Sequence, residues 1–271
     1  MHRTLSLLVL LPAVADAAAL RDHDNSPLTS TFGLPDATES GSVLDGGRTA
    51  WSAGLQLTSH SVAERAGPEI FIADGETTRL TLEWRRGIAD RWEIGLELPY
   101  LTHQPGGLDS VIDDWHRVFG FPDGARDDRP RDRLEFAYEN DGVTRLDIAR
   151  PSHGPGDVRM TGGYRLLATA RHRLALRLGV KLPTGDEDQL HGSGAADVSL
   201  GLAGEREGIG GNPDWTAFYR LHGVFLGKGR WLAARQQSFV AVAAAGATWR
   251  ARRWLDLTLQ ASLRGPLYDS N

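Results

Sequence analysis

Arg91-Trp92-Glu93-Ile94-Gly95-Leu96-Glu97-Leu98-Pro99-Tyr100 alternates apolar and polar side chains along its length. Successive side chains of an extended strand point to opposite faces. Trp92, Ile94, Leu96, Leu98 and Tyr100 therefore share one greasy face, and Glu93, Gly95 and Glu97 the other. The same alternation recurs in Leu174, Leu176, Leu178, Val180 and Leu182 against Ala175, Arg177, Gly179 and Lys181. It returns in Leu255, Leu257, Leu259, Ala261 and Leu263 against Asp256, Thr258, Gln260, Ser262 and Arg264.

Reading outward from these runs predicts about eleven strands. They cover roughly 50–60, 76–86, 91–100, 133–140, 143–149, 157–168, 173–182, 196–205, 214–226, 236–249 and 254–264. Several have the roughly 9–11 residues that a tilted strand needs to cross a bilayer. Short connections at 87–90, 140–142, 169–172 and 250–253 interleave with long ones at 61–75, 101–132, 183–195 and 227–235. Asp141-Gly142 is a strong tight-hairpin signal, and the pair it joins could form a hairpin within one large external loop. Short turns on one side and long loops on the other match an outer-membrane barrel with its short side periplasmic. The expected fold is all-β: an antiparallel transmembrane β-barrel of about 12 strands, with one short amphipathic helix in a long external loop. Such barrels of the bacterial type close with an even strand number. The odd count predicts that the complete protein continues past Asn271.

The first residues set the compartment. Met1-His2-Arg3 is a basic start, Leu5 to Val14 is mostly apolar, and Ala15-Asp16-Ala17 is a small-x-small cleavage pattern. This predicts a signal peptide over 1–17, too short in its apolar core to span a bilayer. A segment on the periplasmic side follows at 18–49, and the barrel occupies 50–271. The longest later apolar run, Phe239 to Ala247, is less than half the roughly 20 residues of a membrane helix. The 271 residues hold no cysteine, which excludes disulfides, cysteine–zinc sites and thiol catalysis. Thirty Lys and Arg against 35 Asp and Glu give a net charge of −5, with no basic stripe for nucleic acid. Trp51, Trp84, Trp92, Tyr100, Trp215, Trp249 and Trp254 fall at strand ends, where membrane barrels carry aromatic girdles. The expected location is the Gram-negative outer membrane, with membrane lipid and the barrel assembly machinery as partners.

The polar strand faces bring together Glu83, Arg85, Glu93, Glu97, Arg159, Arg165, Arg177, Lys181, Gln260 and Arg264. Such residues either line a charged pore or form an internal salt-bridge network that plugs a narrow barrel. In the longest connection, Val111, Ile112, Trp115, Val118 and Phe119 share a helical face. Asp113, Asp114, His116 and Arg117 occupy the other. With Trp115, Asp123 and Arg129, the polar residues Asp113, Asp114 and His116 make this loop a ligand or gating element, or a cap over the rim. Asp186, Glu187, Asp188 and His191 gather in another loop without the spacing of a calcium site. No metal or cofactor is expected. No nucleophile elbow, His-Glu-x-x-His or phosphate loop occurs. His60 and Ser61 are adjacent and so face opposite ways, which leaves no catalytic residue to name.

Several stretches together resemble a family of Gram-negative bacteria, domain-of-unknown-function family 3187. They are Asn25-Ser26-Pro27-Leu28, Phe32-Gly33-Leu34-Pro35, Glu97-Leu98-Pro99-Tyr100, Asp114-Trp115-His116, Phe121-Pro122-Asp123-Gly124 to Arg129-Pro130, Lys181-Leu182-Pro183-Thr184-Gly185-Asp186 and Tyr268-Asp269-Ser270. The resemblance implies an envelope protein of barrel type and carries no activity, ligand or catalytic residue with it. The expected role is a passive channel for small solutes or a structural envelope component. The rivals are a lipid-modifying barrel enzyme, in which His60 or His103 would meet a serine or carboxylate across strands, and a periplasmic β-rich binding protein.

Overall fold

A computed structural model describes residues 19–36, 39–121 and 132–269. The predicted signal peptide lies outside these residues. The described residues form one antiparallel sheet of 12 strands and one α-helix. The strands are β1 (Thr49–Ala66), β2 (Glu69–Ala89), β3 (Trp92–Gln104), β4 (Glu135–Asn140), β5 (Val143–Ile148) and β6 (Ser152–Pro155). They continue as β7 (Arg159–Ala168), β8 (His172–Lys181), β9 (Asp197–Glu207), β10 (Trp215–Leu226), β11 (Phe239–Arg252) and β12 (Leu255–Arg264). Helix α1 (Asp109–Phe119) lies between β3 and β4.

The order across the sheet is β12-β11-β10-β9-β8-β7-β3-β2-β4-β5, with β1 on β2 and β6 on β3. Strand β2 is long enough to pair with β3 over Glu76–Ala89 and with β4 over Glu69–Asp74. Two sequence expectations change here. The connection expected at 61–75 is strand: β1 and β2 run on to a tight turn at Gly67-Pro68, where Gly67 takes a left-handed φ of +58°. Ser61-Val62-Ala63-Glu64-Arg65-Ala66 carries no greasy face, so alternation alone could not find it. The short β6, absent from the expected set, is parted from β7 by Gly156-Asp157-Val158.

The sheet is not closed: among the described residues β1 and β12 do not pair with each other. They are nevertheless tied to one segment. Asn25 Nδ2 donates to Thr58 Oγ1 of β1 at 3.2 Å, and the neighbouring Asp24 Oδ2 accepts from Arg264 of β12 at 3.1 Å. Two consecutive residues thus reach both edge strands, which requires the sheet to curl round the segment.

The strand faces differ as the alternation demands. Glu93, Arg177, Lys181, Ser199 and Arg220 point inward and are buried, while Leu55, Leu82, Ile94, Leu221 and Leu259 point outward and are exposed. Outward aromatics pair across strands at the short-turn end: Trp51 with Trp84 (6.5 Å), Trp92 with Tyr164 (4.6 Å) and Trp215 with Trp249 (5.8 Å). Near the long-loop end, Phe225 meets Phe239 at 5.2 Å and Tyr100 is exposed.

Two apolar clusters lie on the inner side. One joins Ala73, Leu134, Phe136, Tyr138, Leu146, Ile148 and Leu190, so the β4–β5 hairpin caps the long-loop end. The other packs Phe32 of the N-terminal segment against Val224, Leu226, Val240, Val242 and Leu267.

Candidate functional site

The polar face is a bonded network, and its counterpart is the segment from Leu20 to Asp45. At the long-loop end, the Lys181 ammonium sits 3.0 Å from Asp157 and 3.0 Å from Asp197. It also donates to the Thr31 carbonyl at 2.8 Å. Asp197 in turn accepts from the Gly33 N–H at 2.8 Å. A Cβ on Gly33 would lie 2.7 Å from the Lys181 Cβ, so only glycine lets the segment come this close.

Across the register from Lys181, Arg159 bridges Glu39 of the segment (2.5 Å) and Glu97 of β3 (2.7 Å). The His222 Nε2 lies 3.3 Å from the same Glu39. Arg177 pairs with Glu93 at 2.5 Å and spends its remaining donors on the carbonyls of Ser40 and Ser42. Glu93 accepts further bonds from Arg85 at 3.3 Å and from the Leu44 N–H at 2.8 Å. Toward the short-turn end, Arg165 bonds the Val43 carbonyl and Asp45, and Arg173 pairs with Glu205, which accepts the Gly41 N–H at 3.1 Å.

Arg21 pairs with Glu83 of β2 at 2.5 Å, and Gln260 of the edge strand β12 bonds both the N–H and the carbonyl of Leu20. Arg220 holds Asp22 at 3.0 Å and donates to the Pro35 carbonyl. All the inward candidates named from sequence therefore meet the segment, Arg85 and Glu97 through one intermediary each. Sequence reasoning missed their partners Asp157, Asp197, Glu205 and Arg220, which occupy the same alternate register, and missed the segment itself. The segment runs along the polar face of the sheet. Its filling is incomplete: a cavity of about 710 Å³ remains at the short-turn end beside Arg48, Arg165, Arg173 and Glu205.

The loop candidates are not brought to this network. Asp114 and Arg117 form an exposed pair at 2.8 Å. Trp115 packs against Phe119 with ring centroids 4.3 Å apart, and His116 meets the Phe121 ring edge-on at 6.0 Å. Asp113 and His116 are half-buried. Asp123 and Arg129 lie outside the described residues. The apolar face of α1 is exposed rather than covering the rim, and the capping expected of it is done by β4 and β5.

The histidines form a separate group. His60 Nε2 and His103 Nδ1 each share a 2.9 Å hydrogen bond with the Thr77 hydroxyl. Both rings stand edge-on to Phe136, beneath the apolar cap. Among the described residues the side-chain hydrogen bonds of both rings go to Thr77, and all three residues are buried. His191 stacks on His103 at 5.4 Å and shares a 3.2 Å hydrogen bond with Ser152. Burial pushes the His191 imidazole below its ordinary pKa; Asp186 opposes that shift and His153 adds to it. Among the described residues, no three His, Asp or Glu side chains are grouped to hold a metal ion.

No curated protein matches the chain. A family model described as protein of unknown function (DUF3187) matches residues 6–271, nearly the whole length. The chain belongs to that family.

Proposed function

We propose that this chain is an outer-membrane β-barrel that its own N-terminal segment keeps shut, serving as a structural envelope component or a channel closed at rest. The observation that carries this is the pairing of the inward charges with residues 20–45, which leaves few of them to select solutes. The membrane part is supported by the outward face. Its two belts of aromatics are separated by eight residues on β3 (Trp92 to Tyr100) and ten on β10 (Trp215 to Phe225). That is roughly 26 and 33 Å along the strands. At a tilt of about 40° it becomes roughly 20–25 Å, the height of a barrel's apolar band.

A channel opened by movement of the segment is the second reading, favoured by the cavity left at the short-turn end. The test is envelope fractionation followed by planar-bilayer recording. The full chain should partition with the outer membrane and show no steady conductance, and deletion of residues 20–48 should create it. Ser40→Cys, which keeps the segment, should react slowly with a membrane-impermeant thiol reagent. Recovery in the soluble periplasmic fraction overturns the membrane reading. Steady conductance of the intact chain, or rapid labelling of Ser40→Cys, overturns the closed state.

A further inference from the structure

We propose that α1 is a membrane-surface helix, lying with its apolar face in the lipid interface beside the long-loop end of the sheet. The proposal deepens the barrel reading and rests on it.

Three observations carry it. The first is which way the helix is turned. Ile112, Asp113 and His116 are half-buried, whereas Val111, Trp115, Val118 and Phe119 are exposed, Val118 by 76%. At 100° per residue those four span one arc of about 100°. A helix packed on a soluble protein turns its greasy stripe inward; this one turns it out, and the Trp115 and Phe119 rings pack together at a tilt on the exposed face.

The second is where the helix is fastened. The Leu108 N–H, one residue before α1, donates to Glu76 Oε1 at 2.6 Å. In the register of β2, Glu76 shares its face with Leu80 and Leu82, which point outward, while Thr77 points inward toward His60 and His103. Glu76 is nevertheless 2% exposed, because the chain leading into α1 folds over it. The helix therefore starts on the outer, apolar face of the sheet and not over its mouth. Asp109 fixes that start by accepting the Asp132 N–H at 3.0 Å.

The third is height. Glu76 lies four residues beyond Leu80 and pairs with Gln104, four residues beyond Tyr100. That is about 13 Å along either strand past Leu80 and Tyr100, or roughly 10 Å in height at a strand tilt of about 40°. This is the level of the headgroup region, where amphipathic helices settle. The apolar face of α1 thus continues the outward face of β2 and β3.

The chain's lack of cysteine allows single spin labels in proteoliposomes. Leu98→Cys reports the outward strand face, and Val143→Cys the turn of the capping hairpin. For Val118→Cys, the ratio of oxygen to nickel-chelate accessibility should be close to that of Leu98→Cys and about an order of magnitude above that of Val143→Cys. A nickel-accessible Val118→Cys beside an oxygen-accessible Leu98→Cys overturns the helix proposal while the barrel stands. A Val118→Cys label shielded from both reagents means a protein cover and also overturns it. Nickel access at Leu98→Cys removes the barrel reading itself.

Discussion

Lys181 shows what the inner face demands of single side chains. It is an ammonium buried between two carboxylates, each at 3.0 Å. Such an arrangement is sensitive because removing one partner leaves the others charged and dry, at a cost of about 3–5 kcal/mol. Lys181→Met is therefore expected to destabilise the protein by about that amount, and Asp197→Asn in the same chain to recover part of the loss. Urea titration of the refolded protein measures both; equal stability of the single and double variants would show that Asp197 does not carry the burden. The polarity of this position was legible from alternation alone, since Lys181 falls opposite Val180 and Leu182. Its partners were legible only as further polar residues on other strands. Spacing within one strand cannot say which strand lies next to it, and the register across β7, β8 and β9 decides that Arg159, Lys181 and Asp197 meet.

Elements were legible where one face meets an apolar phase and the other a polar one. β3, β7, β8, β10 and β12 have that contrast, and their alternation places them within a few residues. The upper halves of β1 and β2 lack it, so they read as loop. The N-terminal segment has no period. It binds largely through backbone groups, the carbonyls of Thr31, Ser40, Ser42 and Val43 and the N–H groups of Gly33, Gly41 and Leu44, and backbone leaves no signature in side-chain pattern.

The loop between β8 and β9 carries its own pH dependence. Burial lowers the His191 pKa, so the folded loop binds its proton less readily than the unfolded chain. The stabilisation is complete above the unfolded value near 6.5 and is lost as pH falls below it. The 183–196 loop, which also holds Trp231 through the Glu187 carbonyl at 2.9 Å, should therefore loosen over the range below about pH 6.5. Limited proteolysis across that range should show faster cleavage at low pH. A His191→Asn chain should lose the trend; an unchanged trend would place the titration elsewhere.

At the scale of the whole molecule, nearly every side-chain hydrogen bond between described residues more than about 100 positions apart runs between residues 20–45 and the sheet. Leu20 and Gln260 are hydrogen-bonded although 240 positions apart, and so are Asp24 and Arg264. The segment can be viewed as a mandrel on which the strands are wound. The polar face carries many charges that would repel or bury unpaired without it, so the winding and the filling of the interior belong to one cooperative event. A chain lacking residues 20–48 should then refold into vesicles more slowly than the intact chain, although it has less to fold. Faster refolding would mean that the segment is threaded in afterwards. Where the mandrel governs winding, the earliest part of the chain sets the curvature of everything that follows it.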